Sequence, residues 1–141
     1  MANSISVVDR DPTRRLPGRR ALGSAIEGGK RVPKYLYLAS YTTDAWKGMI
    51  ETPPDRSSAV AALVESVGGS LDSVFWSTGD FDVVVIADLP DETAAAAVSV
   101  AVTSSGRVTN CRTHRLVTME ETAALLTAAR AATGAYRQPG G

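Results

Sequence analysis

Few residues in this chain have side chains suited to chemistry. His114 is the only histidine and Cys111 the only cysteine, three positions apart. An imidazole could act as a general base or as a single axial ligand. One histidine cannot by itself build a multi-histidine metal site, and the plainer reading is a structural or exposed strand residue. Cys111 reads more readily as a small buried strand residue than as a nucleophile. Asp82 closes the turn Gly79-Asp80-Phe81-Asp82. Its carboxylate could move a proton, but capping the turn through backbone N–H groups is the commoner use. Tyr37, Tyr41 and Trp76, with Phe81 and Trp46, could line an apolar pocket. The ligand-binding candidates are therefore Tyr37, Tyr41, Trp76, Phe81, Asp82 and His114. No catalytic residue, metal ligand or cofactor is assigned. Phosphate-binding loops, dinucleotide fingerprints, paired CxxC motifs and serine-hydrolase elbows are all missing from the sequence.

The composition narrows the field further. A length of 141 residues suits one domain, and 44% hydrophobic residues can supply its core. Net charge is zero, which argues against a dedicated nucleic-acid or membrane-surface binder. The balance is uneven along the chain. Residues 1–31 carry seven Lys or Arg against three Asp or Glu, and the remainder carries eight against twelve. A lone cysteine permits no internal disulfide, and with no apolar run of membrane length a cytoplasmic protein is expected.

These candidate residues need a scaffold. Residues 1–32 show neither a helical nor a strand period and contain Asp11-Pro12, Pro17-Gly18 and Gly28-Gly29. A disordered basic leader is expected there, or one that is not translated at all, since Val32-Pro33-Lys34-Tyr35 would suit an internal GTG start. A folded domain is expected over 33–141. Tyr35–Tyr41 reads as a strand, and Thr42-Thr43-Asp44 offers N-cap chemistry for a short helix that Pro53-Pro54 ends. Val60, Leu63, Val64 and Val67 form an apolar stripe at helical spacing, closed by Gly68-Gly69. Strands are expected over Leu71–Thr78 and Val83–Ala87. A helix opened by Pro90-Asp91-Glu92 follows, ending at Ser104-Ser105-Gly106. Val108–Val117 reads as the last strand, and Thr118-x-x-Glu121 has capping-box spacing before a final helix.

The order is β-α-β-β-α-β-α, an α+β, ferredoxin-like arrangement with an added C-terminal helix. In Val83–Ala87 both alternating sets are apolar, so the sheet face away from the helices must also be covered. On the first strand Leu36 and Leu38 are expected to face the helices, with Tyr35, Tyr37 and Tyr41 on the opposite face. Pairing of two such faces predicts a homodimer or a higher homo-oligomer. A small-molecule site is expected on that open face or at the seam.

Ser77-Thr78-Gly79-Asp80-Phe81-Asp82-Val83-Val84-Val85-Ile86 resembles the signature of the GYD domain family, with Phe81 where tyrosine is usual. Ser40-Tyr41-Thr42, Lys47-Gly48, Arg56, Leu63-Val64-Glu65, Gly68-Gly69-Ser70-Leu71 and Asp88-Leu89-Pro90-Asp91 fit the same pattern. So do Ala94-Ala95-Ala96, Ser105-Gly106, Leu116-Val117-Thr118 and the terminal Tyr136–Gly141, so the resemblance spans about 33–141. It implies a dimeric α/β-barrel assembly of ferredoxin-like subunits, and no settled activity. Phe81 lacks the phenolic hydroxyl, so any chemistry resting on that group is lost here. The turn also resembles the effector domain of leucine-responsive, AsnC-type regulators, which bind amino acids between subunits. Residues 1–31 hold no helix-turn-helix. The resulting expectation is a homo-oligomeric small-molecule-binding or regulatory domain. The alternatives are a cofactor-free or haem-using enzyme, or a structural subunit. Whether the protein is an enzyme is left open.

Overall fold

The structure, a computed structural model, describes residues 26–27 and 30–140. The expected leader, 1–32, falls largely outside these. Within it, Ile26–Glu27 pairs antiparallel with Lys30–Arg31, and the Arg31 guanidinium meets Glu120 and Thr118.

The domain runs β1 (Lys34–Tyr41), α1 (Thr43–Glu51), α2 (Arg56–Ser66), β2 (Ser70–Trp76), β3 (Val83–Asp88), α3 (Glu92–Ser104), β4 (Val108–Leu116) and α4 (Thr122–Ala135). Local chemistry sets the helix starts. Thr42 Oγ1 accepts from Ala45 N–H at 3.2 Å, and Asp91 Oδ1 accepts from Ala94 N–H at 2.8 Å. Asp55 does the same for Ser58 at 3.1 Å. Each satisfies a backbone donor that the first helical turn leaves without a partner. Before α4, Thr118 N–H donates to Glu121 Oε2 at 2.8 Å and Glu121 N–H donates to Thr118 Oγ1 at 3.2 Å. This is the reciprocal capping box that the Thr-x-x-Glu spacing predicts.

The four strands form one open antiparallel sheet in the order β2-β3-β1-β4. β1 and β2 therefore run parallel with β3 between them, and β3 and β4 run parallel with β1 between them. The β1–β4 ladder carries an extra residue on β4 between the pairs Leu38–Arg112 and Ser40–Thr109. Asn110 lies in this bulge at φ +50°, a left-handed conformation that asparagine adopts more readily than most residues.

The helix-side face of the sheet differs from the expected one. Tyr35, Tyr37 and Ala39 of β1 are buried with Val83, Val85 and Ala87 of β3 and with Val64, Ala94, Ala95 and Val98 of the helices. Leu36 and Leu38 share the opposite face with Val84 and Ile86, to which they are paired. The expectation that the leucines face the helices is thus corrected. Two physical reasons favour the tyrosines. Ala94 and Ala95 leave room above the sheet that large rings fill. The buried Tyr37 hydroxyl also has a partner there, donating to the Ala95 carbonyl at 2.8 Å.

Gly68 and Gly69 do different work. Gly68 has φ +85°, the left-handed turn that ends α2. A Cβ on Gly69 would press on the Asp88 carbonyl oxygen and lie 2.6 Å from Leu89 Cδ2, so glycine here lets α2 and β3 approach. At the far end, α4 has no buried residue, and Leu126 on it is 59% exposed.

Candidate functional site

Two features meet at the end of the sheet where β1 passes into α1. The first is a corner built around Asp82. Its N–H donates to the Ala39 carbonyl at 2.9 Å, and its own carbonyl accepts from Ser77 N–H at 2.8 Å. Its Oδ2 accepts from the Tyr41 backbone N–H at 2.8 Å and from Trp46 Nε1–H at 3.3 Å. One carboxylate thereby ties the β2–β3 turn to the end of β1 and to the first turn of α1. The rings of Tyr41, Trp46 and Trp76 cluster above it with centroids 5.1–5.9 Å apart, Tyr41 meeting Trp46 edge to face at 85°. Phe81 is partly buried in the same turn. With this oxygen taken up by two donors, Asp82 holds the corner together.

The second feature is a cavity between the sheet and the helices. Its inner compartment, about 80 Å³, is lined by Tyr37, Val85, Leu63, Val98, Cys111 and Arg56 among others, almost all of them apolar. An outer groove of about 500 Å³ shares Tyr41, Arg56, Leu63, Val102 and Val108 with it. α1, through Ala45, Gly48 and Met49, and Arg107 complete the groove wall. Among the described residues no acidic side chain lines either compartment. Arg56 Nε is buried without a hydrogen-bond partner among the described residues.

The six residues singled out from the sequence divide between two faces. Tyr37 and Tyr41 line the inner compartment. Trp76, Phe81 and Asp82 belong to the neighbouring corner. His114 is exposed, paired with Leu36 on the other face of the sheet, and so stands apart from the rest. Cys111 faces the inner compartment, its Sγ 3.8 Å from Ser99 Oγ. Burial pushes the Tyr37 phenol well above its ordinary range, and with its proton donated to Ala95 it serves as a fixed wall of the cavity.

A polar cluster closes the opposite end of the sheet. Lys34 Nζ lies 2.9 Å from Asp88 Oδ1 and 3.1 Å from Asp72 Oδ2. Burial disfavours its charge, but the two carboxylates together outweigh that and raise its pKa above 10.5. Among the described residues no group of three or more His, Cys, Asp or Glu could hold a metal ion.

Sequence reading missed that Arg56 and Arg107 both line the groove. A signal for Arg56 was present. It opens an apolar helix with Ala59 and Val60 at the positions where an acidic partner would sit. Nothing local connects it to Arg107, which follows α3 and is placed beside α1, its carbonyl accepting from Thr42 N–H at 3.0 Å.

Residues 35–126 fit the family model described as the GYD domain. No curated protein and no solved structure matches the chain.

Proposed function

The chain belongs to the GYD domain family, and from that premise we propose that it is a homo-oligomeric domain that binds a small molecule between its sheet and its helices. The observation that carries this reading is the two-part cavity. A small apolar chamber floored by Tyr37 and Val85 adjoins a larger groove, with which it shares Tyr41, Arg56, Leu63, Val102 and Val108, the concave, mostly apolar form that small-molecule sites commonly take. A regulatory role follows naturally, with ligand occupancy altering the packing of α1 and α2 over the sheet.

The ferredoxin-like assignment belongs to the same proposal. It is supported by the order β2-β3-β1-β4, in which each crossover joins parallel strands separated by a strand of the other unit. The homodimer is proposed through the open sheet face. Leu36, Leu38, Val84 and Ile86 form its centre, and Phe75, 59% exposed, extends it onto β2. A second copy would cover this apolar face. The unpacked α4 supports association as well, because an isolated helix of this length is marginal in water. A cytoplasmic setting fits the single cysteine, and among the described residues no helix is long and apolar enough to cross a membrane.

Native mass measurement of the protein purified from its own source tests both parts. The expected result is an oligomer carrying a stoichiometric extra mass. Val84→Lys should yield a folded monomer, whereas Val85→Lys should disrupt the core. Val102→Trp, which narrows the passage between the compartments, should remove the extra mass and leave the oligomer intact. A monomeric wild type refutes the assembly. An extra mass that survives Val102→Trp refutes the site.

A further inference from the structure

We propose that the cavity selects a carboxylate with a short apolar tail, with Arg56 as the residue that recognises the anion. The inference rests on the small-molecule reading above and names the chemical class of the ligand.

Three observations converge on it. First, the inner compartment is apolar and small. At about 80 Å³ it would hold several waters by volume, each needing roughly 10–15 Å³. Its lining offers those waters few partners, so a phenyl or short alkyl group suits it better. Second, Arg56 stands where the inner compartment meets the outer groove, since it lines both. Its Nε is buried and has no hydrogen-bond partner among the described residues. Among the described residues the ion pairs formed are those of Arg31, Lys34 and Arg115, so no carboxylate lies within 4.0 Å of Arg56. A buried guanidinium donor without an acceptor is costly, and an anion at this junction would satisfy it.

Third, the charge around the groove runs against that of the domain. Residues 32–141 carry eight Lys or Arg against twelve Asp or Glu. Yet the two charged side chains that line the groove are both arginines, Arg56 and the exposed Arg107. Guanidinium groups bind carboxylates through paired N–H donors. The chamber beyond Arg56 then sets the length of the tail. An amphiphile would enter tail first, with its carboxylate stopping at Arg56 and Arg107 in the wider groove. A neutral analogue would fill the chamber equally well but leave the arginine unsatisfied.

The test uses hexanoate, 1-hexanol and benzene as probes of the full-length protein. The readout is the Arg56 Nε–H resonance in ¹⁵N-edited NMR, together with the dissociation constant of each probe. Hexanoate should shift that resonance and bind on the order of tenfold to a hundredfold more tightly than 1-hexanol, the effect of a charge-assisted hydrogen bond. Arg56→Gln should abolish this preference, and Arg56→Lys should retain part of it. Equal binding of hexanoate and 1-hexanol, or a preference that survives Arg56→Gln, overturns the carboxylate assignment. Benzene binding without hexanoate binding also overturns it, and leaves the cavity as a neutral apolar site. If none of the three binds, the carboxylate assignment and the small-molecule reading fall together.

Discussion

Replacing Asp82 with alanine should destabilise the domain by an amount that follows from its partners. Oδ2 accepts from Tyr41 N–H at 2.8 Å and from Trp46 Nε1–H at 3.3 Å. Hydrogen bonds to a charged group contribute about 1.5–3 kcal/mol each. The shorter bond falls within that range, while the longer one is near the outer limit of useful geometry and belongs at or below its lower end. Asp82 is partly exposed, so water can replace some of what is lost. The expected cost of Asp82→Ala is about 2–4 kcal/mol. Asp82→Asn keeps an oxygen acceptor and gives up only the charge, for about 1 kcal/mol. Urea unfolding at fixed protomer concentration, followed by far-UV circular dichroism and tryptophan fluorescence, measures both. Trp46→Phe removes one donor, and its double-mutant cycle with Asp82→Ala should show a coupling of about 1 kcal/mol. An Asp82→Ala change within about 0.5 kcal/mol of wild type, the range of an ordinary surface substitution, would refute the tie between turn, strand and helix. So would a cycle with no coupling.

Gly69→Ala should cost about 1–3 kcal/mol or more in the same assay, because the added methyl must displace the Asp88 carbonyl or Leu89. Tyr37→Phe should cost about 0.5–1.5 kcal/mol through loss of its hydrogen bond to Ala95, with cavity shape preserved. At the C-terminal arm, the Thr118 backbone N–H, aided by Arg115, holds the Glu121 carboxyl below its ordinary 4.5. A depressed carboxyl stabilises the fold above its unfolded pKa and loses that contribution as pH falls through its folded value. Amide exchange along α4 should therefore quicken as pH drops below 4.5, relative to exchange in β1. Glu121→Gln should remove that pH dependence.

The sequence by itself determined what is decided within a few residues. Thr42, Asp91 and the Thr118–Glu121 box start or precede helices because a short side chain reaches a backbone N–H three positions away. Pro53-Pro54 and Gly68-Gly69 stop helices for reasons equally local. The paired apolar sets of Val83–Ala87 announced a sheet with something to bury on both faces, and the Gly79–Asp82 turn marked the family. What the sequence left undecided was which set faces inward. Alternation divides β1 into tyrosines and leucines, but both sets are apolar enough to be buried, so hydrophobicity cannot rank them. The choice fell to the tertiary structure, where the small side chains of Ala94 and Ala95 leave space for rings and the Ala95 carbonyl supplies an acceptor for Tyr37. The same holds for the functional residues. Asp82 meets a backbone donor 41 positions away, and Arg56 and Arg107 share a groove from different elements. Each of these meetings depends on strand pairing and helix packing, whose geometry no local period encodes.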